Sequence, residues 1–503
     1  MSSLRQIPLG DAIPDRPHAI SVSLPTMADL IGYEEKDPAV LRHVPTGYPR
    51  FVTHPYLRTL TNEFARRHGL QREAVWLVAT PYLAERMRVW LGGEDVRVVH
   101  EGEVSAIAYP PDPDRNARAK AFLQHCGGFL SSRHAEDLLV AAGLVPAPAP
   151  ERCIEVDPAA EVKNALAAAF TGARADDLFL AASGMNAIHA AFRASNAAQA
   201  PRGRTVWIQL GWLYLDTIAT LQKFTADPEN DYVAVPSVTD LSALRQVLAE
   251  RGARVAGIIT EVPTNPLVQC CNVPELAELA RAHGAHLVLD ASIASPWNVD
   301  VLGYADMVVV SLTKYAASEG DLLAGVVAVN PAGGDAAALG SRLSEFLAPP
   351  YSRDLGRLAF EIGETERVLS VVNQSTVKVA GFLEGRSEVC RVHWALADGA
   401  RANYAEIARR PDAVGSMISI EVRPGAFAAV YDRLRLPKGP SFGMRNSLCC
   451  PFLYLAHYDL VTAPPGRARL AEFGLNPELL RLSMGTEPVD EILAVLAEAL
   501  EGA

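Results

Sequence analysis

Only seven of the 503 residues are cysteine, and no pair of them is spaced C-x-x-C. Cys270-Cys271 and Cys449-Cys450 are adjacent, and Cys126, Cys153 and Cys390 stand apart. This outlines neither a disulfide framework nor a zinc site and favours a reducing compartment. No run of 18 apolar residues occurs, so no helical membrane span is expected. The opening "MSSLRQIPLGDAIPDRPHAI" lacks the apolar core of a secretory signal. Basic runs are missing too. With 46 Lys and Arg against 58 Asp and Glu, the formal net charge is −12, which argues against nucleic acid or an anionic membrane as the main partner. The expectation is a soluble, cytoplasmic protein that meets small molecules. What the chain has in quantity is apolar sequence, 49% of it, enough for a large core and two or more domains.

The first fifty residues, rich in Pro and Gly, read as an irregular arm. "VWLVATPYLAERMRVWLGG" then reads as a strand feeding a helix, and "VRVVHEGEVSAIAYP" as two short strands. "GLVPAPAPERC" has the composition of a linker. Beyond it, helical text alternates with "DDLFLAAS", "RTVWIQL", "VAGIITEVP", "AHLVLDAS", "ADMVVVSL" and "LLAGVVAVN", all strand-like. Such alternation predicts an α/β fold with a mostly parallel sheet covered by helices. The last third opens on one long helical pattern, "RLAFEIGETERVLSVVNQSTVKVAGFLEG", followed by the strands "SMISIEV" and "LLRLSMG" and a terminal helix. Three units are expected: an N-terminal arm and extension over 1–155, a large domain over 156–335 and a smaller C-terminal α/β domain over 336–503.

Open parallel sheets collect ligands beyond the carboxyl ends of their strands. Those ends carry Ser183-Gly184-Met185, Tyr214 with Thr217, Asn265, Asp290 and Ser311-x-Thr313-Lys314. Each has a plainer reading when taken alone. The glycine turn is a helix start, Asp290 caps a turn, and Lys314 is a snorkelling surface lysine. Together they make chemical sense. Backbone N–H groups at a helix N-terminus bind a phosphate. An aromatic plate, a carboxylate and a lysine complete what pyridoxal 5'-phosphate (PLP) requires.

"SGMNAI", "EVPTNPL", "LDASIASP", "SLTKY" and "RLSMGTEPVDEIL" resemble the Cys/Met-metabolism PLP enzymes of fold type I, from about residue 160 to the C-terminus. The N-terminal text resembles the fungal-type cystathionine γ-synthase branch, which carries a long N-terminal extension. The resemblance implies roles. Lys314 would carry the Schiff base to the cofactor, Asp290 would pair with its pyridinium nitrogen, and Tyr214 would stack on its ring. The backbone of Gly184 and Met185, in the turn opened by Ser183, would hold the phosphate with the hydroxyls of Ser311 and Thr313. Tyr48 and Arg50, in "GYPRF", would reach the phosphate of a neighbouring subunit. Arg481 would clamp the substrate carboxylate with help from Ser441, and Asn265 would lie near the cofactor's O3′. Departures stand out: "YLDT" replaces Y-G-G-T, bringing in Leu215 and Asp216. Ala291 and Ser292 replace Asn-Thr, and "AASEGD" stands where G-H-S-D is common.

On this resemblance the expected activity is γ-replacement. An activated homoserine ester and L-cysteine would give cystathionine, as in methionine biosynthesis by trans-sulfuration. A γ-lyase, an O-acylhomoserine sulfhydrylase and γ-substitution with another nucleophile are the alternatives. A homodimer or homotetramer with shared active sites is expected. His125-Cys126 supplies too few ligands for a metal, and His457 reads as a buried structural histidine.

Overall fold

The computed structural model describes residues 4–502. Its centre is a seven-stranded sheet made of β1 (Leu178–Ala181), β2 (Val206–Leu210), β3 (Tyr232–Val235), β4 (Val255–Glu261), β5 (His286–Asp290), β6 (Met307–Ser311) and β7 (Gly325–Val329). They lie side by side in the order β1-β7-β6-β5-β4-β2-β3. The pairs β6–β5, β5–β4, β4–β2 and β2–β3 are parallel, while β7 runs antiparallel to both its neighbours. Strands β4, β5 and β7 are buried along their whole length. Helices cover both faces of such a sheet, so its strands read as unbroken apolar runs instead of alternating ones.

Parallel pairing brings the carboxyl ends to one edge. Glu261 and Asp290 are register partners at the ends of β4 and β5, and Ser311 ends β6 beside them. The helix Gly184–Gln199 starts at the same edge, with Ser183 Oγ accepting from Asn186 N at 3.1 Å as its N-cap. Two glycines let these parts meet. A Cβ on Gly184 would sit 2.7 Å from Cβ of Ser311, and one on Gly325 would sit 2.5 Å from the Ser183 carbonyl oxygen.

A four-stranded antiparallel sheet lies towards the C-terminus. Its strand Leu479–Ser483 runs between Met417–Val422 and Leu448–Cys450, which places Arg481 on an inner, buried strand. The extension forms a three-stranded antiparallel sheet, Ala74–Val78, Val104–Tyr109 and Arg97–Glu101, with helices at Pro55–Arg67, Pro81–Leu91, Pro113–Cys126 and Ser132–Ala141. The strand-to-helix and two-strand readings there hold.

Two expectations need correcting. The arm is not wholly irregular: Met27–Glu34 is helical, capped by Thr26, whose side chain accepts from Asp29 N. The long pattern near residue 360 is two helices, Ser352–Ile362 and Thr365–Glu384, with Gly363 ending the first.

The close approach at β7 generates a prediction. Gly325→Ala should lower unfolding stability by about 1–3 kcal/mol, the usual cost of forcing atoms into a filled core, measured by denaturant titration. A variant as stable as the parent would mean that the Ser183 turn gives way freely.

Candidate active site

Beyond the strand ends lies a cavity of about 390 Å³. Lys314, Asp290, Tyr214, Arg481, Tyr48 and Arg50 all line it, as do Gly184, Met185, Asn265, Ser311 and Ser441. Residues hundreds of positions apart in the chain, such as Tyr48 with Phe442 and Arg50 with Arg481, therefore converge on one space.

Lys314 follows β6 and is 8% exposed. Its Nζ donates to Ser441 Oγ at 2.7 Å and lies 5.0 Å from the ring centres of both Tyr48 and Phe442. Burial, and then the guanidinium groups of Arg481 and Arg50, hold its amine well below the ordinary lysine range. A neutral amine has a free lone pair, which a Schiff base or a proton shuttle needs.

Arg481 Nη2 donates to the Ser441 carbonyl at 2.9 Å, and Nη1 donates to Asn265 Oδ1 at 3.2 Å. The guanidinium lies 4.5 Å from the Phe452 ring centre. Among the described residues no carboxylate comes within ion-pair distance of it. Ser441 thus joins the two cations, its hydroxyl on Lys314 and its carbonyl on Arg481. Its φ of +94° is strained for a residue with a side chain.

Asp290 is 7% exposed, and burial raises its pKa, while the Ser292 amide donates to it at 2.9 Å. Glu261 beside it was not singled out from the sequence. It accepts from the backbone N–H groups of Tyr214 at 2.5 Å and Asn265 at 2.9 Å, and so sets the position of both residues. Burial and the neighbouring Asp290 push its carboxyl well above the ordinary range. The signal was present in the text: an acid ending the apolar strand "VAGIITE", the mark that drew attention to Asp290.

Two expected placements differ. The Thr313 hydroxyl does not line the cavity. It bonds both backbone groups of Ala324, accepting at 3.0 Å and donating at 3.3 Å, and so pins the loop between β6 and β7. Ser183 is a helix cap and does not line the cavity either. Tyr48 and Arg50 line the cavity together with Lys314 and Tyr214. Arg50 is 4% exposed, pairs with the buried carboxylate of Asp216, and donates to Tyr214 Oη at 2.6 Å and to the Gln124 carbonyl at 3.0 Å. Burial raises the Tyr214 phenol well above its ordinary value although Arg50 opposes this, so it stays protonated. His125 lies 3.7 Å from Asp216, and His457 accepts from Trp212 Nε1 at 3.3 Å.

These residues fit pyridoxal phosphate. A buried lysine with a lowered pKa, a buried carboxyl, a cationic Arg50 and a helix start with no room for a Cβ at Gly184 share one cavity. Comparison with known proteins agrees. The family model "Cys/Met metabolism PLP-dependent enzyme" matches residues 157–501. The chain is 40% identical over 491 residues to an L-2-amino-4-chloropent-4-enoate dechlorinase/desaturase of Streptantibioticus cattleyicolor, covering 98% of each protein. It is 26% identical to a cystathionine γ-synthase of Neurospora crassa, again covering 98% of each. Among solved structures, a cystathionine γ-synthase of Xanthomonas oryzae superposes with a TM-score of 0.58 at 22% identity, over 69% of this chain and 86% of that one.

The depressed Lys314 amine has a cost in stability. Unfolded, the side chain binds a proton below about pH 10.5; folded, it holds that proton less tightly. Stability is therefore lost at neutral pH and regained as pH rises towards the unfolded value. In the cofactor-free protein, Lys314→Met should raise unfolding stability at pH 7 by about 0.5–2 kcal/mol, the usual gain from relieving an active-site compromise. The gain should shrink above pH 9. Loss of stability at pH 7 would show that the amine is well accommodated.

Proposed function

The chain belongs to the Cys/Met-metabolism family of PLP-dependent enzymes, and we propose that it expels the γ-substituent of a small α-amino acid by elimination. One observation carries this: a buried lysine and an arginine without a carboxylate ion-pair partner share one serine in a cavity lined in part by apolar side chains. Arg481 is the clamp for the substrate α-carboxylate, since its fork matches the two oxygens and no carboxylate among the described residues forms an ion pair with it. Lys314 is the group that holds and moves protons at Cα and Cβ. Asp290, Tyr214, Gly184, Met185, Ser311 and Arg50 are the residues that would hold the cofactor, with Asp290 facing its ring nitrogen. Bound there, PLP supplies an electron sink for charge developing beside the amino-bearing carbon.

In the elimination a proton leaves Cβ for Lys314, and the γ-substituent departs with the bonding electron pair. The wall beyond Lys314 is made by Val22, Leu24 and Phe51 of the arm with Phe452 and Leu455. Such a wall suits a short apolar side chain with a halide or ester leaving group and keeps water from the reacting carbon. Full-length similarity to a dechlorinase/desaturase supports the same choice.

A second reading is γ-replacement, with L-cysteine attacking an activated homoserine ester to give cystathionine. Glu34 and Lys36, 4.0 Å apart, line the same cavity with Lys120 and form a set of both signs able to hold a second zwitterion. Burial, opposed by Lys36, pushes the Glu34 carboxyl up to about 7. Similarity to a cystathionine γ-synthase stands behind this reading. An O-acylhomoserine sulfhydrylase, with sulfide as nucleophile, shares the first half-reaction. We place the enzyme in the cytoplasm, as a homodimer or homotetramer. Among the described residues no helix is long and apolar enough to cross a membrane.

The test offers 2-amino-4-chloropent-4-enoate and O-acetyl-, O-succinyl- and O-phosphohomoserine, each with and without cysteine, and follows the products by mass. Elimination predicts release of the leaving group without thiol and a product lighter by HX. Replacement predicts a thioether and dependence on cysteine. No release from any of them would end both readings.

Arg481→Lys should keep the bound cofactor and its absorption spectrum. It should lose about 2–4 kcal/mol of transition-state stabilisation in kcat/KM, as for removal of a charged partner from a shielded pair. The loss should be similar for every leaving group. Unchanged kcat/KM would place Arg481 outside the substrate's reach.

A further inference from the structure

We propose that Tyr315, Ser416 and Ser483 are positioning residues of this active site: their three hydroxyls form a one-way chain of hydrogen bonds that clamps Gly443 and so holds Ser441 between Lys314 and Arg481. This rests on Lys314 being the cofactor's lysine, as read above, and holds for elimination and replacement alike.

All three residues are buried, and none of them lines the cavity. They come from separate parts of the chain. Tyr315 follows Lys314, Ser416 precedes the strand Met417–Val422, and Ser483 ends the strand Leu479–Ser483 that carries Arg481. Met417 and Ser483 are register partners on those adjacent strands. The direction of each bond follows from the hydrogens available. Tyr315 Oη has one, and the Ile293 carbonyl at 2.7 Å can only accept it. The Ser416 hydroxyl, 2.9 Å from Tyr315 Oη, must then donate to it, as the Ser416 amide also does at 3.0 Å. With its own hydrogen spent, Ser416 Oγ accepts from Ser483 Oγ at 3.0 Å, and Ser483 Oγ accepts from Gly443 N at 3.0 Å. Every hydroxyl hydrogen in the chain is used, and a buried network satisfied throughout is rigid.

Gly443 is gripped through both of its backbone groups. Ser483 takes its amide, and its carbonyl accepts from Tyr315 N at 3.0 Å. Its φ is +70°, and a Cβ there would sit 2.9 Å from Tyr315 N, so a side chain has no room. On the other side of Ser441, Gly439 N donates to the Cys449 carbonyl at 3.1 Å. Ser441 stands midway between these anchors at φ +94°, a strained conformation that persists only where the surroundings enforce it. Tyr315, beside Lys314, has φ +58°, and its hydroxyl pins it to Ile293 and Ser416. Ile293 and Tyr315 follow strands of the seven-stranded sheet, whereas Ser416 and Ser483 belong to the edges of strands in the four-stranded one. The chain of hydroxyls therefore joins the two sheets at the point where Ser441 meets Lys314 with its hydroxyl and Arg481 with its carbonyl.

The test measures how fast Lys314 of the full-length, cofactor-free protein captures PLP. Borohydride is added at intervals, and the Lys314 peptide carrying the cofactor is counted by mass. Capture needs the amine held towards the cavity, which the bond to Ser441 does, and it is independent of which amino acid the enzyme transforms. Tyr315→Phe and Ser483→Ala should each slow capture by about 3- to 30-fold, as expected when a buried hydrogen bond is broken and its partner left unpaired. Ser441→Ala should slow it too, and in that background neither of the other substitutions should have a further effect. A merely structural role would lower unfolding stability and leave the capture rate alone, or would slow capture equally in both backgrounds; either result would overturn the proposal. Ser416→Ala breaks the chain at its middle and takes the place of any variant that does not fold, with the same expectation. A wild-type protein that captures no PLP on Lys314 would instead end the reading of that lysine, and the role of the hydroxyls with it.

Discussion

Five basic side chains, Lys36, Arg50, Lys120, Lys314 and Arg481, line one cavity, and the three buried ones, Arg50, Lys314 and Arg481, constrain most of the local structure. Like charges about 4 Å apart repel by about 4 kcal/mol at an effective dielectric of 20, equivalent to about three pKa units. Lys314 and Arg481 both bond Ser441, through its hydroxyl and its carbonyl, and the Arg481 charge lowers the Lys314 pKa. Each cation meets the strain differently. Arg50 is answered by Asp216. Arg481 has only neutral oxygens and aromatic faces and remains an open request for a carboxylate. A guanidinium does not give up its proton, so Lys314 is the group whose proton is loosened, by burial first and by the two arginines after it.

The acids beneath are arranged by the same edge of the sheet. Glu261 and Asp290 end adjacent parallel strands, and both carboxyls are pushed upwards by burial. Glu261 uses its oxygens on two backbone N–H groups and fixes the loop that carries Asn265. Asp290 takes a backbone bond from Ser292 and also borders the cavity. Of the two, Asp290 is the one left to meet a ring nitrogen.

What the sequence made legible follows from burial costs. Lys314 and Asp290 stood out because a charged residue ending an apolar strand is expensive unless it has work to do. Glu261 carried the same mark and was overlooked inside a familiar stretch of text. Hydroxyls were harder: a threonine beside the lysine does not reveal that its bonds go to Ala324, nor a turn serine that it caps its own helix. The parallel sheet was readable because each buried strand is a continuous apolar run. The helix Met27–Glu34 was hidden by its short length and by the prolines and glycines around it. The path of the arm was not readable at all, because it rests on contacts between residues hundreds of positions apart, such as Leu24 with Lys438.

That least legible segment is also the one that shapes the substrate space. The sheet edge and Arg481 provide what any member of the family requires, a place for the cofactor and a grip on an α-amino acid. Val22, Leu24, Glu34 and Phe51 come instead from the arm and line the same cavity. This wall is strapped to the C-terminal segment that carries Ser441, and its Tyr48 and Arg50 act on Lys314, so a change in the arm is felt both in the pocket and at the lysine.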